Sequence, residues 1–160
     1  MLKEVILTPE GYEKLKQEID FLQNEKRREV AERIRVAREF GDIAENAEYD
    51  DAKNEQAMLE HKIAQLEERL LSARVITKKE ISKDTVSVGS TVRLRDVAAR
   101  KTFEYHIVGS AEANPAENRL SNESPVGRAL MGHRRGEIVS VQVPRGPARK
   151  LKITKIDVGL

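Results

Sequence analysis

Two runs of apolar residues with alternating three- and four-residue spacing constrain this chain more than any other feature. In the first, Tyr12, Leu15, Ile19 and Leu22 recur at spacings of 3, 4 and 3. In the second, Ala52, Gln56, Leu59, Ile63, Leu66, Leu70 and Ala73 recur at 4, 3, 4, 3, 4 and 3. That rhythm puts one apolar stripe along one side of a helix, the seam of a coiled coil. Thr8 and Pro9 supply an N-cap and a first helical residue for the first run. Between Leu22 and Ala37 the rhythm slips. Lys26, Val30, Ile34 and Ala37 follow at 4, 4, 4 and 3, one residue more than strict alternation. Such a stutter relaxes the supercoil locally. Gly41 is the first glycine after Gly11, and it separates the two runs. Two one-faced helices joined by a short break predict an antiparallel hairpin with its tip at about 40–47. Arms of about 30 residues are about 45 Å long at 1.5 Å per residue.

From about residue 75 the period changes to two. "TVRLRDVAA", "KTFEYHIVGS", "EIVSVQV" and "RKLKITKIDV" read as half-buried strands. "ANPAEN" reads as a loop, "PRGP" as a turn, and "SPVGRALMG" as a short helix capped by Ser124. The expected fold class is α+β: a coiled-coil hairpin over 1–76, then an antiparallel sheet with one short helix over 77–160. Composition agrees. The chain is 35% charged and 4% aromatic, which suits a long aliphatic seam better than one large core. The absence of cysteine excludes disulfides and thiolate metal sites. No apolar run approaches the roughly 20 residues that span a bilayer, and the N-terminus lacks a signal-peptide pattern. The expected location is the cytoplasm. Residues 1–80 hold 19 acidic and 15 basic side chains, residues 81–160 hold 8 and 14. This asymmetry suggests two units with different tasks.

"GDIAENAEYD" places Asp42, Glu45, Glu48 and Asp50 at the turn of the hairpin. One reading is structural: acids near a helix N-terminus complement its dipole, and Asp42 serves the turn. The other is metal chemistry. Mg²⁺ takes oxygen ligands, commonly one or two carboxylates completed by water and phosphate. Asp42 and Glu45 are three residues apart, so a turn can aim both in one direction. Alone they make half a site. Half a site at the end of a rod makes sense when the rod enters another macromolecule's active centre.

The stretches "LTPEGYEKLKQEIDFL", "VAREFGDIAENAEYDDAKNEQ", "IAQLEERLLSARVI", "VSVGSTVRL", "YHIVGSAEAN", "SNESPVGRALMG" and "KITKI" together resemble the GreA-type bacterial transcript cleavage factors, the Gre family, over nearly the whole chain. The resemblance implies an FKBP-like C-terminal domain that docks at the rim of the secondary channel of RNA polymerase. It implies a hairpin that enters this channel. The tip acids, Asp42 and Glu45 by motif, then help hold a second Mg²⁺ and a water in the polymerase active site. The polymerase hydrolyses backtracked RNA and makes a new 3′ end. No Mg²⁺ is expected to bind the free protein tightly. The implied partners are bacterial RNA polymerase and the 3′ end of the RNA, with no membrane and no stable self-association. The protein is then no enzyme by itself, since a tip lacks substrate-positioning groups. A channel-binding inhibitor of the same shape is the alternative, and an autonomous Mg²⁺ nuclease a more distant one.

Other residues carry two readings each. Arg38 and Lys53 flank the tip and can contact RNA phosphates, or pair with Glu39, Asp50 or Asp51. Asn46 and Tyr49 fix the turn or meet the polymerase or RNA. Lys26, Arg27, Arg28, Arg33 and Arg35 form a basic stretch that is a solvated face or a binding surface. Ser124, Pro125 and Met131 are the docking candidates, with Val126 and Leu130 expected to pack on the sheet. "GHRRGE" is a basic turn. His61, His106 and His133 show no metal-ligand spacing, and Gly127 and Gly132 bracket a helix and form no phosphate loop.

Overall fold

The first arm begins where the sequence places it. Pro9–Phe21 forms helix α1, and the Thr8 hydroxyl oxygen accepts from the Gly11 N–H at 3.0 Å, capping its first turn. A computed structural model describes residues 4–41 and 46–160 of the chain. At Leu22–Lys26 the helix widens into one π-helical turn, closed by the Arg27 N–H donating to the Leu22 carbonyl. Helix α2 (Arg27–Glu39) then continues the arm. The π turn sits where the apolar spacing slips. Its i→i+5 closure takes up one extra residue, so Val30 and Ala37 still land on the buried side.

The second arm is one helix, α3 (Ala47–Leu71), of 25 residues. The arms run antiparallel, because partners rise on one as they fall on the other. Gln23 meets Glu67, Arg27 meets Glu60, and Arg33 meets Glu55. Val30, Leu59 and Ile63 form a buried cluster, with Leu22 and Ile34 against it. Burial contributes about 1.5–3 kcal/mol for each such side chain. The expected seam ends early. Ala73 leaves the helix, which stops at Leu71, and begins a strand.

That strand changes the division of the chain. Strand β1 (Val5–Leu7) pairs in parallel with β2 (Ala73–Val75). The compact units are therefore Tyr12–Ser72, and residues 4–11 together with Ala73–Leu160. The sequence boundary at 76/77 keeps both strands in the hairpin, because a three-residue parallel pair leaves no periodic signal.

The second unit is built on five strands: β3 (Ser90–Asp96), β4 (Thr102–Val108), β5 (Arg119–Ser121), β6 (Ile138–Val141) and β7 (Arg149–Val158), in spatial order β5-β4-β3-β7-β6. The sheet is mixed, where an antiparallel one was expected. Four strands pair antiparallel, but β5 runs parallel to β4. The chain returns between them through single 3₁₀ turns at Ser110–Glu112 and Pro115–Glu117. Helix α4 (Pro125–Leu130) is capped by the Ser124 hydroxyl oxygen, which accepts from Gly127 N–H at 3.1 Å. Leu130 enters the core with Val92, Leu94, Ile107, Leu151 and Ile153.

Candidate functional site

The hairpin turn is built from the last turn of α2 and the first turn of α3. The two buried seam positions nearest to it are small, Ala37 and Ala52. Phe40 ends α2, its N–H donating to the Ala37 carbonyl at 3.3 Å. Gly41 follows with φ +118°, a conformation that favours glycine. Asn46 is the N-cap of α3. Its Oδ1 accepts from the Tyr49 N–H at 3.1 Å, while its Nδ2 donates to the Ala37 carbonyl at 2.5 Å. One side chain thus joins the two arms. Both ends of its amide are used within the hairpin, as the turn-fixing reading of Asn46 expects. Tyr49 contributes its backbone N–H, and its side chain is half-buried. Asp42 and Glu45 lie outside the described residues.

Glu48 and Asp50 fall in the first turn of α3, where acids complement the helix dipole. Arg38 is exposed and makes no ion pair or hydrogen bond among the described residues. Lys53 donates to Gln56 at 3.0 Å and, among those residues, pairs with no carboxylate. Glu39 is taken by Arg35 at 2.6 Å.

The basic stretch of the first arm is mostly spent on the hairpin. Arg27 grips Glu60 with two bonds of 2.8 Å. That contact raises the Arg27 pKa and holds the Glu60 carboxyl below its ordinary value. Arg33 binds Glu55 and lies 3.7 Å from Glu48. Lys26 reaches Glu29 at 3.5 Å and Glu55 at 3.8 Å. Arg35 bonds Glu32 at 2.6 Å, which lowers the Glu32 pKa. Only Arg28 of the five has no such partner among the described residues. Sequence reasoning could not see the partners on the facing arm.

In the other unit, the docking candidates separate. Pro125 is exposed, whereas Ser124 is held by its capping bond and by donating to the Ser121 carbonyl at 2.6 Å. Met131 is half-buried against two core clusters. Leu130 is fully buried and Val126 partly, as expected. The basic turn is ordered by its own acid. Glu137 binds His133 Nδ1 at 2.6 Å and the Arg134 N–H at 3.1 Å, and both contacts lower its pKa. His106 Nδ1 meets the Thr91 hydroxyl at 2.8 Å, on the wall of a cavity of about 480 Å³ also lined by Thr8, Lys78, Ser90 and Arg119. Among the described residues no group of three or more His, Asp or Glu is placed to hold a metal.

Two features escaped sequence reasoning. Glu112 binds the Thr8 N–H at 2.9 Å, the Thr8 hydroxyl at 2.6 Å and Arg119 at 3.1 Å. Nothing in the sequence marks a partner 104 residues away. Phe40 stands 79% exposed at the end of α2. Its signal was legible, since it lies off the seam.

Comparison with known proteins adds an independent line. Residues 5–75 match the family model described as "Transcription elongation factor, N-terminal". Residues 81–158 match the one described as "Transcription elongation factor, GreA/GreB, C-term". Transcription elongation factor GreA of Thermoanaerobacter pseudethanolicus is 53% identical over 156 residues, covering 98% of this chain and 99% of the relative. The GreA of Acetivibrio thermocellus is 54% identical over 154 residues, covering 96% of each. Among solved structures, the GreA factor homolog 1 protein of Thermus thermophilus aligns with a TM-score of 0.44 and 31% identity, over 97% of this chain and 99% of that one.

Proposed function

Since the chain belongs to the GreA/GreB family of transcription elongation factors, we propose that it enters the secondary channel of RNA polymerase tip first and stimulates the polymerase's own cleavage of backtracked RNA. The observation that carries this reading is the end of the hairpin. An antiparallel pair of arms closes through Gly41 and Asn46, and the four residues between them include Asp42 and Glu45. Two carboxylates suit a hard, oxygen-seeking cation such as Mg²⁺. When bound, a second Mg²⁺ in the polymerase centre lowers the pKa of water and neutralises charge on phosphate. Asp42 and Glu45 bind and orient on the tip's side of that site. Arg38 and Lys53, free of carboxylate partners among the described residues, are available to RNA phosphates. The C-terminal unit docks at the channel rim, with exposed Pro125 as the contact closest to the sequence expectation. The chemistry stays with the polymerase, and this chain is no hydrolase alone.

The test uses stalled, backtracked elongation complexes with wild type, Asp42→Ala and Glu45→Ala, each with a polymerase-binding assay. Cleavage stimulated by wild type alone, with all three still bound, is the expected result. Binding without cleavage by wild type would leave a channel-binding inhibitor. RNA cut without polymerase would place the catalytic site in this chain.

A further inference from the structure

We propose that Asn46 is a positioning residue of the cleavage-stimulating tip, acting through a clamp between the two arms; this rests on the transcript-cleavage reading above. A capping role alone does not explain an asparagine. Serine and aspartate cap about as well and threonine nearly so, and this chain uses Thr8 and Ser124 for its other two described side-chain caps. What asparagine adds is a donor on a second atom. The assignment is fixed by the partners. The Tyr49 N–H can only donate and the Ala37 carbonyl can only accept, so Oδ1 must face the first and Nδ2 the second.

The packing beneath supports the same role. Ala52 is 0% exposed and Ala37 4%, so the last seam positions before the turn are filled by single methyl groups. Small side chains let two helices approach closely, and a side chain as short as asparagine can then span from one to the other. The clamp sets the separation between Gly41 and Asn46, the two ends of the segment that carries Asp42 and Glu45. Positioning of this kind acts on rate, and small misplacements cost large factors.

Asn46→Asp separates the two functions of the side chain. The carboxylate still accepts from Tyr49 and suits the helix N-terminus. It has no proton to give Ala37, and sets oxygen against oxygen. The expected result is near-wild-type melting and polymerase affinity, with stimulated cleavage reduced about tenfold or more and a higher Mg²⁺ concentration for half-maximal stimulation. Asn46→Ser, which keeps the cap and loses the span, should behave alike. The side-chain amide protons of Asn46 in the free wild-type protein should be protected from exchange by NMR. Wild-type cleavage rate and Mg²⁺ dependence in Asn46→Asp would overturn the proposal, and so would unprotected amide protons. A loss of binding or melting in parallel with cleavage would also overturn it, by making the role merely structural. Failure of wild type itself to stimulate cleavage would sink the underlying reading, and is told apart by that control.

Discussion

Replacing Glu112 with alanine removes one carboxylate from three donors at once. Its side chain is 7% exposed, and it accepts from the Thr8 N–H, the Thr8 hydroxyl and Arg119. Thr8 is 5% exposed, so water cannot readily replace the lost partner of its N–H. Among the described residues Arg119 keeps only Glu117 as an acidic partner, at 4.0 Å, but it is 22% exposed and partly rehydrates. A hydrogen bond to a charged group contributes about 1.5–3 kcal/mol. Counting the two Thr8 bonds and discounting Arg119 gives about 3 kcal/mol. In a unit of about 100 residues that is a fall in melting temperature of about 12 °C or more. Scanning calorimetry of Glu112→Ala reads it, and a fall under about 3 °C would refute the account.

The same carboxylate explains Gly11, and gives the reasoning a sign to get wrong. A Cβ at Gly11 would stand 2.1 Å from Glu112 Oε1. Gly11→Ala should therefore destabilise the wild-type protein, although alanine is the better helix former by about 1 kcal/mol. In the Glu112→Ala background the obstruction is gone, and Gly11→Ala should stabilise. A double-mutant cycle in which Gly11→Ala has the same sign in both backgrounds would show that Glu112 is not what excludes a side chain there.

Ile63→Ala, which opens the centre of the hairpin's buried cluster, should lower its stability by about 2–5 kcal/mol, read by thermal unfolding followed by circular dichroism. Asp96 carries an acid-limb prediction. Its carboxyl lies below its ordinary value, first because the Ala99 N–H donates to it and then through Arg149. A carboxyl depressed in the folded state stabilises above its unfolded pKa, and that contribution is lost as pH falls through the folded value. Asp96→Asn should thus be less stable than wild type at neutral pH and converge with it below about pH 4. A gap that stays constant with pH would count against this.

What could be read from the sequence was local. Thr8, Pro9, Ser124 and Pro125 announce helix starts because a cap acts within three residues. Leu59, Ile63 and Leu66 announce their own burial because a helix repeats its environment every three or four residues. The misses share the opposite property. β1 and β2 are three residues each, and the whole hairpin separates them in sequence. β5 is equally short and parallel to β4, which leaves no alternation to detect. Arg27 and Arg33 read as a basic face because their acids lie 33 and 22 residues onward on the other arm. At the tip, Asn46 was read as fixing the turn or meeting a partner, whereas its bond to the Ala37 carbonyl reaches nine residues back to the other arm.

The slipped spacing after Leu22 lies between these cases, and deletion tests whether its physical reading is right. Removing Asn24 from the π turn leaves one residue fewer between Leu22 and Val30. With Arg27 taking the place of Lys26, the seam from Leu15 to Ala37 then alternates 4 and 3 without a break. If the π turn exists only to absorb the surplus residue, the shortened arm should run as continuous α-helix. Val30, Ile34 and Ala37 should keep the face they have now. Melting should then match wild type or exceed it, because a π turn is a locally poorer arrangement than the α-helix around it. Deleting Lys16 from α1 is the control. With no surplus to remove, it turns Leu15 and Tyr12 by about 100° relative to the seam, a single residue's rotation in a 3.6-residue turn. It should lower the melting temperature where the Asn24 deletion does not. Equal losses in both deletions would mean that the π turn holds more than phase, and that the seam tolerates no change of length at either place.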